Sequence, residues 1–148
     1  MNASKSKKRS DASYTAKPPD EPTFFIDRSL GCIQVPEAFR QAGIDFIPHH
    51  ALFQADAKDE EWLSKAGEKG WVVLTKDDKI RYRPLERMAL MGAGVAAFIL
   101  SARNIKAAEM ASIFIRALPK IKRLLKKTKR PFIARVTRSG DVSILENG

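Results

Sequence analysis

The chain has 148 residues, a formal net charge of +10 and 44% hydrophobic residues, which suits one domain with a buried core. Its single cysteine, Cys32, excludes an internal disulfide framework and a cysteine-rich zinc site. The longest apolar run, residues 88–100, is too short to span a membrane, and the basic start lacks the apolar stretch of a secretory signal, so we expect a cytoplasmic protein.

Residues 1–22 are rich in Lys, Ser and Pro, and we expect them to form a disordered basic segment ahead of a domain at 23–148. After this segment the pattern alternates strands with helices. In chain order it predicts a strand at 23–27, a helix at 35–42, a short strand at 44–48, an irregular loop at 49–58, a helix at 59–68 and a strand at 71–75. Gly43 and Gly70 follow the two helices as stop signals.

The second half of the chain predicts a helix at 84–91, a strand at 94–100 that is buried on both faces, a long amphipathic helix at 105–127, and a hairpin formed by 132–137 and 142–145. Pro119 lies inside the long helix and predicts a kink or a restart there, because proline costs about 3 kcal/mol in a helix interior. Strands and helices that alternate at this spacing are typical of an α/β fold with a parallel sheet.

Acidic residues mark two predicted strand ends and one helix start. The runs 24–27 and 71–78 are apolar and end in aspartate, as buried parallel strands do when they bring a carboxylate to one edge of the sheet. Between them, Asp59, Glu60 and Glu61 open a predicted helix. Carboxylates that converge in one crevice are ligands for a hard divalent cation, and two-cation sites of this kind cleave phosphodiester bonds.

Each of these acids also has a structural interpretation that the sequence leaves open. Asp27 can cap the helix that follows it or bond loop amides, and Asp59 is a natural N-cap at a position where acids complement the helix dipole. Lys76 and Lys79 can neutralise the adjacent pair at 77 and 78 without a metal. A receiver-type phosphoacceptor role for Asp27 would need a second acidic pair after the first strand and a lysine after the last strand, and neither is evident.

Other reaction classes fit the sequence poorly. Neither GxxxxGK nor GxGxxG occurs, so a glycine-rich phosphate loop is not expected. The two histidines, His49 and His50, are adjacent in one predicted loop, which suits neither a nucleophilic triad nor a zinc pair. We expect both to be loop residues, with His50 available to touch a substrate phosphate.

The positive charge is concentrated in the last third of the chain. The net charge is +2 over residues 1–22, −1 over 23–100 and +9 over 101–148. This distribution suits a polyanion that is held by one surface and cut or bound at another, and the alternative is a solvated basic face. In the long helix, the predicted core-facing residues are Ala107, Ala111, Phe114, Leu118, Ile121 and Leu125. The predicted RNA-binding residues on the opposite side are Arg116, Lys120, Arg123 and Lys127.

The succession of an aspartate closing the first strand, a "DEEW" helix start and a "VVLTKDD" strand end resembles the PIN-like ribonucleases, above all the VapC-like toxins of toxin–antitoxin pairs. The resemblance covers about residues 23–100. It implies an α/β/α sandwich with a central, mainly parallel sheet, and an endoribonuclease activity that depends on Mg²⁺ or Mn²⁺. It also implies a cognate antitoxin that masks the site. The basic helical region and the final hairpin lie outside the matched part.

The same resemblance assigns roles to the acidic residues. Asp27 matches the first-strand aspartate, Asp59 or Glu60 matches the middle acid, and Asp77 matches the acid after the strand end. Asp78 would take the fourth acidic place. The implied metal ligands are therefore Asp27, Asp59 and Asp77.

We thus predict a metal-dependent RNA nuclease, the toxin of its pair, that acts on RNA without membrane association, and the sequence is compatible with a homodimer. The basic residues just beyond the acids are predicted to hold flanking phosphates, with a solvated loop as the alternative; they are Lys76, Lys79, Arg81 and Arg83. One rival hypothesis is a PIN-like module that binds RNA without catalysis. Another is an interaction protein whose basic helix docks an acidic partner.

Overall fold

The computed structural model describes residues 21–148, so most of the N-terminal segment predicted to be disordered lies outside the described residues. The strands are β1 (Phe24–Ile26), β2 (Phe46–Pro48), β3 (Val72–Thr75), β4 (Ala96–Ser101), β5 (Phe132–Thr137) and β6 (Val142–Asn147). The helices are α1 (Gln34–Gln41), α2 (His49–Leu52), α3 (Asp59–Lys69), α4 (Pro84–Gly92) and α5 (Ala107–Lys127). Short 3-10 turns at Arg28–Leu30 and Asp78–Arg81 follow β1 and β3.

One sheet with the strand order β2-β1-β3-β4-β5-β6 runs through the middle of the described chain. The first five strands are parallel, and β6 pairs antiparallel with β5 to form the C-terminal hairpin. Because β1 pairs with β2 on one side and β3 on the other, the chain reverses its direction of progress across the sheet at β1. Open parallel sheets bind ligands at the carboxyl ends of the strands at such a reversal.

Alternate strand residues build two separate cores, one on each face of the sheet. Phe24 and Ile26 belong to the core under α1 and α5, whereas Phe25 belongs to the core under α3 and α4. This division follows from the two-residue period of a strand, and burial on both faces explains why the strand sequences are continuously apolar. The predicted α/β/α sandwich with a mainly parallel sheet and a C-terminal hairpin is confirmed.

Helix α4 lies close against α3, and one glycine makes that approach possible. A Cβ added at Gly67 of α3 would lie 2.4 Å from the carbonyl oxygen of Ala93, just after α4. Because Gly67 has no side chain, the end of α4 can pack directly against α3. This packing determines the position of the first turn of α4 relative to the start of α3.

One local prediction was wrong. The segment predicted as a loop at 49–58 begins with the short helix α2, because His49 is buried against aromatic rings instead of standing in solvent. Of the kink or restart predicted at Pro119, the restart does not occur, since α5 continues through the proline as one helix. Buried residues on both sides of the proline, Phe114 and Ile121, hold the two halves against the sheet and offset the missing backbone hydrogen bond.

The predicted core-facing side of α5 is confirmed: Ala111, Phe114 and Ile121 are buried, and the other three predicted residues pack at the margin of the same core. Within residues 21–148, no helix combines the length and the apolar character that crossing a membrane requires.

Candidate active site

Asp27 follows β1 directly, at the carboxyl edge of the sheet. Its amide donates to the Leu74 carbonyl at 3.0 Å, and its side chain is 8% exposed. Its Oδ2 accepts hydrogen bonds from the Ser29 hydroxyl at 2.7 Å, the Thr75 hydroxyl at 2.8 Å and the Ser29 amide at 3.4 Å. Asp27 thus caps the turn after β1, as the structural interpretation predicts, but all these bonds end on Oδ2 and leave Oδ1 outside them.

Thr75, the last residue of β3, connects the ends of the two central strands. Its side chain is fully buried, and its hydroxyl oxygen accepts from the Asp77 amide at 3.0 Å while contacting Asp27. The Ser29 hydroxyl makes a parallel link by accepting from the Lys76 amide at 2.9 Å. Sequence reasoning missed both hydroxyl residues, although a threonine that ends a strand two residues before an acid is a usable signal.

Asp77 stands at the start of the 3-10 turn after β3. Its Oδ1 accepts from the Lys79 amide at 3.1 Å, and its Oδ2 accepts from Nη1 of Arg83 at 2.9 Å. The backbone bond fixes the carboxylate as a cap, and the second oxygen meets a guanidinium group. One oxygen of Asp77 is therefore bound by the backbone nearby, and the other contacts a cationic side chain.

Asp59 is the first residue of α3, and Lys58 is the N-cap, so the interpretation of Asp59 as an N-cap was wrong. The indole Nε1 of Trp62 donates to Asp59 Oδ1 at 2.9 Å, and Oδ2 lies 3.8 Å from Arg83 Nη1. Burial raises the pKa of Asp59, and the negative charges of Asp27 and Asp77 raise it further. The three predicted metal ligands are therefore close enough to influence one another electrostatically.

Glu86 is a fourth acid at this site that sequence reasoning did not single out. It lies in the first turn of α4, and its Oε1 accepts from Arg83 Nη1 at 3.1 Å. Burial raises the pKa of Glu86, and the charges of Asp59 and Asp77 also raise it. We call the four residues Asp27, Asp59, Asp77 and Glu86 the acidic cluster. The signal available in the sequence was an acid three residues after Arg83, in the first turn of a predicted helix.

Two predicted catalytic acids lie outside the acidic cluster. Among the described residues no hydrogen bond or ion pair joins Glu60 to the cluster, whereas Asp59 is close enough to Asp27 and Asp77 for their charges to raise its pKa. Asp78 is exposed and lines a neighbouring groove of about 480 Å³ with Lys76 and Arg103. A groove of about 510 Å³ between α1 and α5 lies elsewhere and contains none of the predicted site residues except Arg116.

The predicted RNA-binding residues differ in how free their side chains are. Arg81 donates to Glu146 on β6 at 3.1 Å, and Arg83 is engaged by the acidic cluster. On α5, Arg116 donates to the Arg138 carbonyl at 2.9 Å, and Lys120 pairs with Asp141 at 2.7 Å. The remaining four are partly or fully exposed: Lys76, Lys79, Arg123 and Lys127. All four predicted basic residues of α5 are exposed, and the hairpin turn contacts two of them, Arg116 and Lys120.

His49 lies close enough to Asp27 to feel its charge, since it directly follows Pro48, which pairs with Ile26, the residue before Asp27. Its ring is 2% exposed, packs against Phe25, and leaves Nδ1 without a hydrogen-bond partner among the described residues. Burial lowers the pKa of His49, and the opposing charge of Asp27 offsets this only in part. A histidine directly after a short strand was the signal that could have placed it here.

The acidic cluster suits a hard divalent cation by the chemistry of its donors, since carboxylate oxygens are the ligands such ions prefer. However, among residues 21–148 no set of three His, Cys, Asp or Glu side chains is arranged to hold a metal ion. The Arg83 guanidinium contacts three members of the cluster, Asp59, Asp77 and Glu86. The donors are of the kind that a divalent cation prefers, and in this structure a cationic side chain of the same chain lies among them.

Comparisons with known proteins agree with this architecture. Residues 22–102 match a family described as a PIN like domain. The chain is 34% identical over 125 residues to "Putative ribonuclease VapC45" of Mycobacterium tuberculosis (strain ATCC 25618 / H37Rv), an alignment that covers 82% of this chain and 90% of that protein. No solved structure matches the chain significantly.

Proposed function

Because the chain belongs to the PIN-like domain family and has a VapC protein among its relatives, we propose that it is an endoribonuclease that acts as the toxin of a toxin–antitoxin pair. The family match confirms the resemblance indicated by the strand-end aspartates. The single observation that carries the proposal is the state of the three aspartates. Each has one oxygen bound by nearby donors and a second oxygen outside those bonds, as ligands of a shared cation require.

In the proposed mechanism Asp27, Asp59 and Asp77 would hold Mg²⁺ or Mn²⁺, which when bound would supply an activated water and charge neutralisation at the phosphate. The chain's own residues orient these ligands. The Ser29 and Thr75 hydroxyls hold Asp27, and the Trp62 indole holds Asp59. Ligands that are already oriented need little rearrangement when the reaction begins.

The groove beside the acidic cluster is the proposed path of the RNA strand. It opens at the ends of β3 and β4, and its lining combines Lys76 and Arg103 with the polar Ser101 and Asn104. Arg138 fixes the loop after β4 by donating to the Arg103 carbonyl at 2.7 Å. Lysine and arginine side chains beside a carboxylate centre would position flanking phosphates without reading their sequence.

The test is RNA cleavage by the full chain with Mg²⁺ or Mn²⁺ and with EDTA. We expect no cleavage in EDTA, and a loss of at least about 100-fold for Asp77→Asn, since changing even the partners of metal ligands costs 10- to 100-fold. The matched control is Asp56→Asn, an exposed acid in the loop before α3, which should retain wild-type activity. Undiminished cleavage in EDTA by purified protein would exclude the metal mechanism.

The toxin role predicts that expression of the chain arrests bacterial growth, and that a cognate antitoxin restores it.

The second candidate function is a PIN-like module that binds RNA or a protein without catalysis. It is favoured by one observation, the guanidinium that lies among the carboxylates. Growth arrest that persists in Asp77→Asn would support this second candidate, because binding does not need the ligand charge.

A further inference from the structure

One arginine contacts three members of the acidic cluster through a single nitrogen. Nη1 of Arg83 lies 2.9 Å from Asp77 Oδ2, 3.1 Å from Glu86 Oε1 and 3.8 Å from Asp59 Oδ2. On Asp59 and Asp77 these are the oxygens that the chain's other hydrogen bonds leave open. The guanidinium therefore uses the same oxygens that a divalent cation would use.

The carboxylates do not depend on Arg83 for their orientation. Asp77 is held by the Lys79 amide and Asp59 by the Trp62 indole, so both would keep their positions if the guanidinium left. The main chain of Arg83 is fixed as well, because its amide donates to the Lys79 carbonyl and its carbonyl accepts from the Arg87 amide. Only the side chain has to move. It is 43% exposed, so its route to solvent is open.

A single nitrogen of Arg83 stands where a cation held jointly by these three carboxylates would stand, so a metal at that point and the Arg83 contact exclude each other. A guanidinium released from the cluster would be free to bind a phosphate group, which its planar donors match. RNA binding and metal binding would then assist each other. A phosphate that binds Arg83 keeps the guanidinium away from the carboxylates, and a metal bound by the carboxylates leaves the guanidinium available to phosphate.

We propose that Arg83 is an internal counter-cation of the acidic cluster that the divalent metal displaces, so that the free protein holds its metal site closed by an ion pair within the same chain. The inference rests on the proposed function, since it assumes that the cluster binds metal. The proposed role of Arg83 differs from electrostatic attraction of RNA, because the side chain lowers the metal affinity of the free protein.

The test is Mn²⁺ binding to the full chain by isothermal titration calorimetry, without RNA. Arg83→Gln should bind Mn²⁺ more tightly than the wild type, by at least about fivefold, which is the lower end of typical coupling between two sites. Arg87→Gln is the matched control. It is an arginine of α4, one turn after Arg83, which caps this helix, but it pairs with Glu146 outside the cluster and should leave Mn²⁺ affinity unchanged.

A second measurement covers the case in which Arg83→Gln folds poorly. In metal-free buffer its melting temperature should fall below that of Arg87→Gln, and saturating Mn²⁺ should restore it, because the ion replaces the lost positive charge. Arg83→Lys keeps the charge on a narrower group and should bind Mn²⁺ with an affinity between those of the wild type and Arg83→Gln.

The outcomes separate this inference from the proposed function. Wild-type Mn²⁺ affinity, or weaker affinity, in whichever Arg83 variant folds would overturn the counter-cation role. The metal mechanism would still stand if Asp77→Asn abolished binding. Absence of Mn²⁺ binding in the wild type and in every variant would overturn both.

Discussion

Asp27 and Asp59 both belong to the acidic cluster, but their surroundings act on the charged carboxylate in opposite directions. The Asp27 carboxylate accepts from the Ser29 and Thr75 hydroxyls and is almost fully buried, so its charge is stabilised by donors. Asp59 has one indole donor, and burial together with neighbouring carboxylates raises its pKa, so its charged form is disfavoured in the folded protein.

The difference predicts divergent effects of charge removal on folding. Asp27→Asn should lower the free energy of unfolding by about 1–3 kcal/mol, because hydrogen bonds to a charged group are replaced by neutral ones. Asp59→Asn should hold or raise it, since the amide oxygen can still accept from Trp62 and a disfavoured charge is gone. Denaturant unfolding in metal-free buffer measures both. Equal losses in the two variants would contradict the assignment.

At the scale of the element, α5 combines two kinds of basic residue. Arg116 and Lys120 contact the turn between β5 and β6, so they join the helix to the hairpin. Arg123 and Lys127, one and two turns further on, are exposed. Surface ion pairs contribute little to stability, whereas exposed cations on a rigid helix remain available for phosphates.

The second half of α5 should therefore carry the RNA contacts of this helix. Replacing Arg123 and Lys127 with glutamine should weaken RNA binding for all sequences, and each lost contact should reduce the log–log salt slope by about 0.7. The double replacement of Arg116 and Lys120 is the matched comparison and should alter the slope less. Fluorescence anisotropy over a salt series, with EDTA present to prevent cleavage, measures both. An unchanged slope in the first variant would identify this surface as solvated or as a protein-docking face.

For the whole molecule, the buried histidine links global stability to pH. Because burial lowers the pKa of His49, the folded protein binds a proton less readily than the unfolded chain does. Stability is therefore complete above the unfolded-state pKa of about 6.5 and falls as the pH drops below it. The slope for one such group reaches at most about 1.4 kcal/mol per pH unit.

We expect His49→Gln to flatten the decline of unfolding free energy between pH 7 and pH 5, whatever its effect at pH 7. His50→Gln is the matched control, since this neighbouring side chain is exposed and should leave the slope as it is in the wild type. Urea unfolding at several pH values gives the slopes. A wild-type slope in His49→Gln would show that other groups control acid unfolding.

Much of the fold was predictable from the sequence, because the relevant signals are local. Apolar runs that end at Asp27 and Asp77 indicate buried parallel strands and their carboxyl edge, and a helical period marks the inner side of α5. These patterns depend on residues a few positions apart, so they survive without knowledge of the packing. The family resemblance rested on the same short motifs.

The chemistry of the site depends on contacts between distant parts of the chain, which no local pattern reports. Thr75 reaches Asp27 across 48 positions because β1 and β3 are neighbours, and Arg83 reaches Asp59 because α4 packs on α3. Glu86 joins the acidic cluster by the same packing. A short motif predicts that a carboxylate lies at an edge of the sheet, whereas the packing of distant elements determines which cationic side chain contacts that carboxylate.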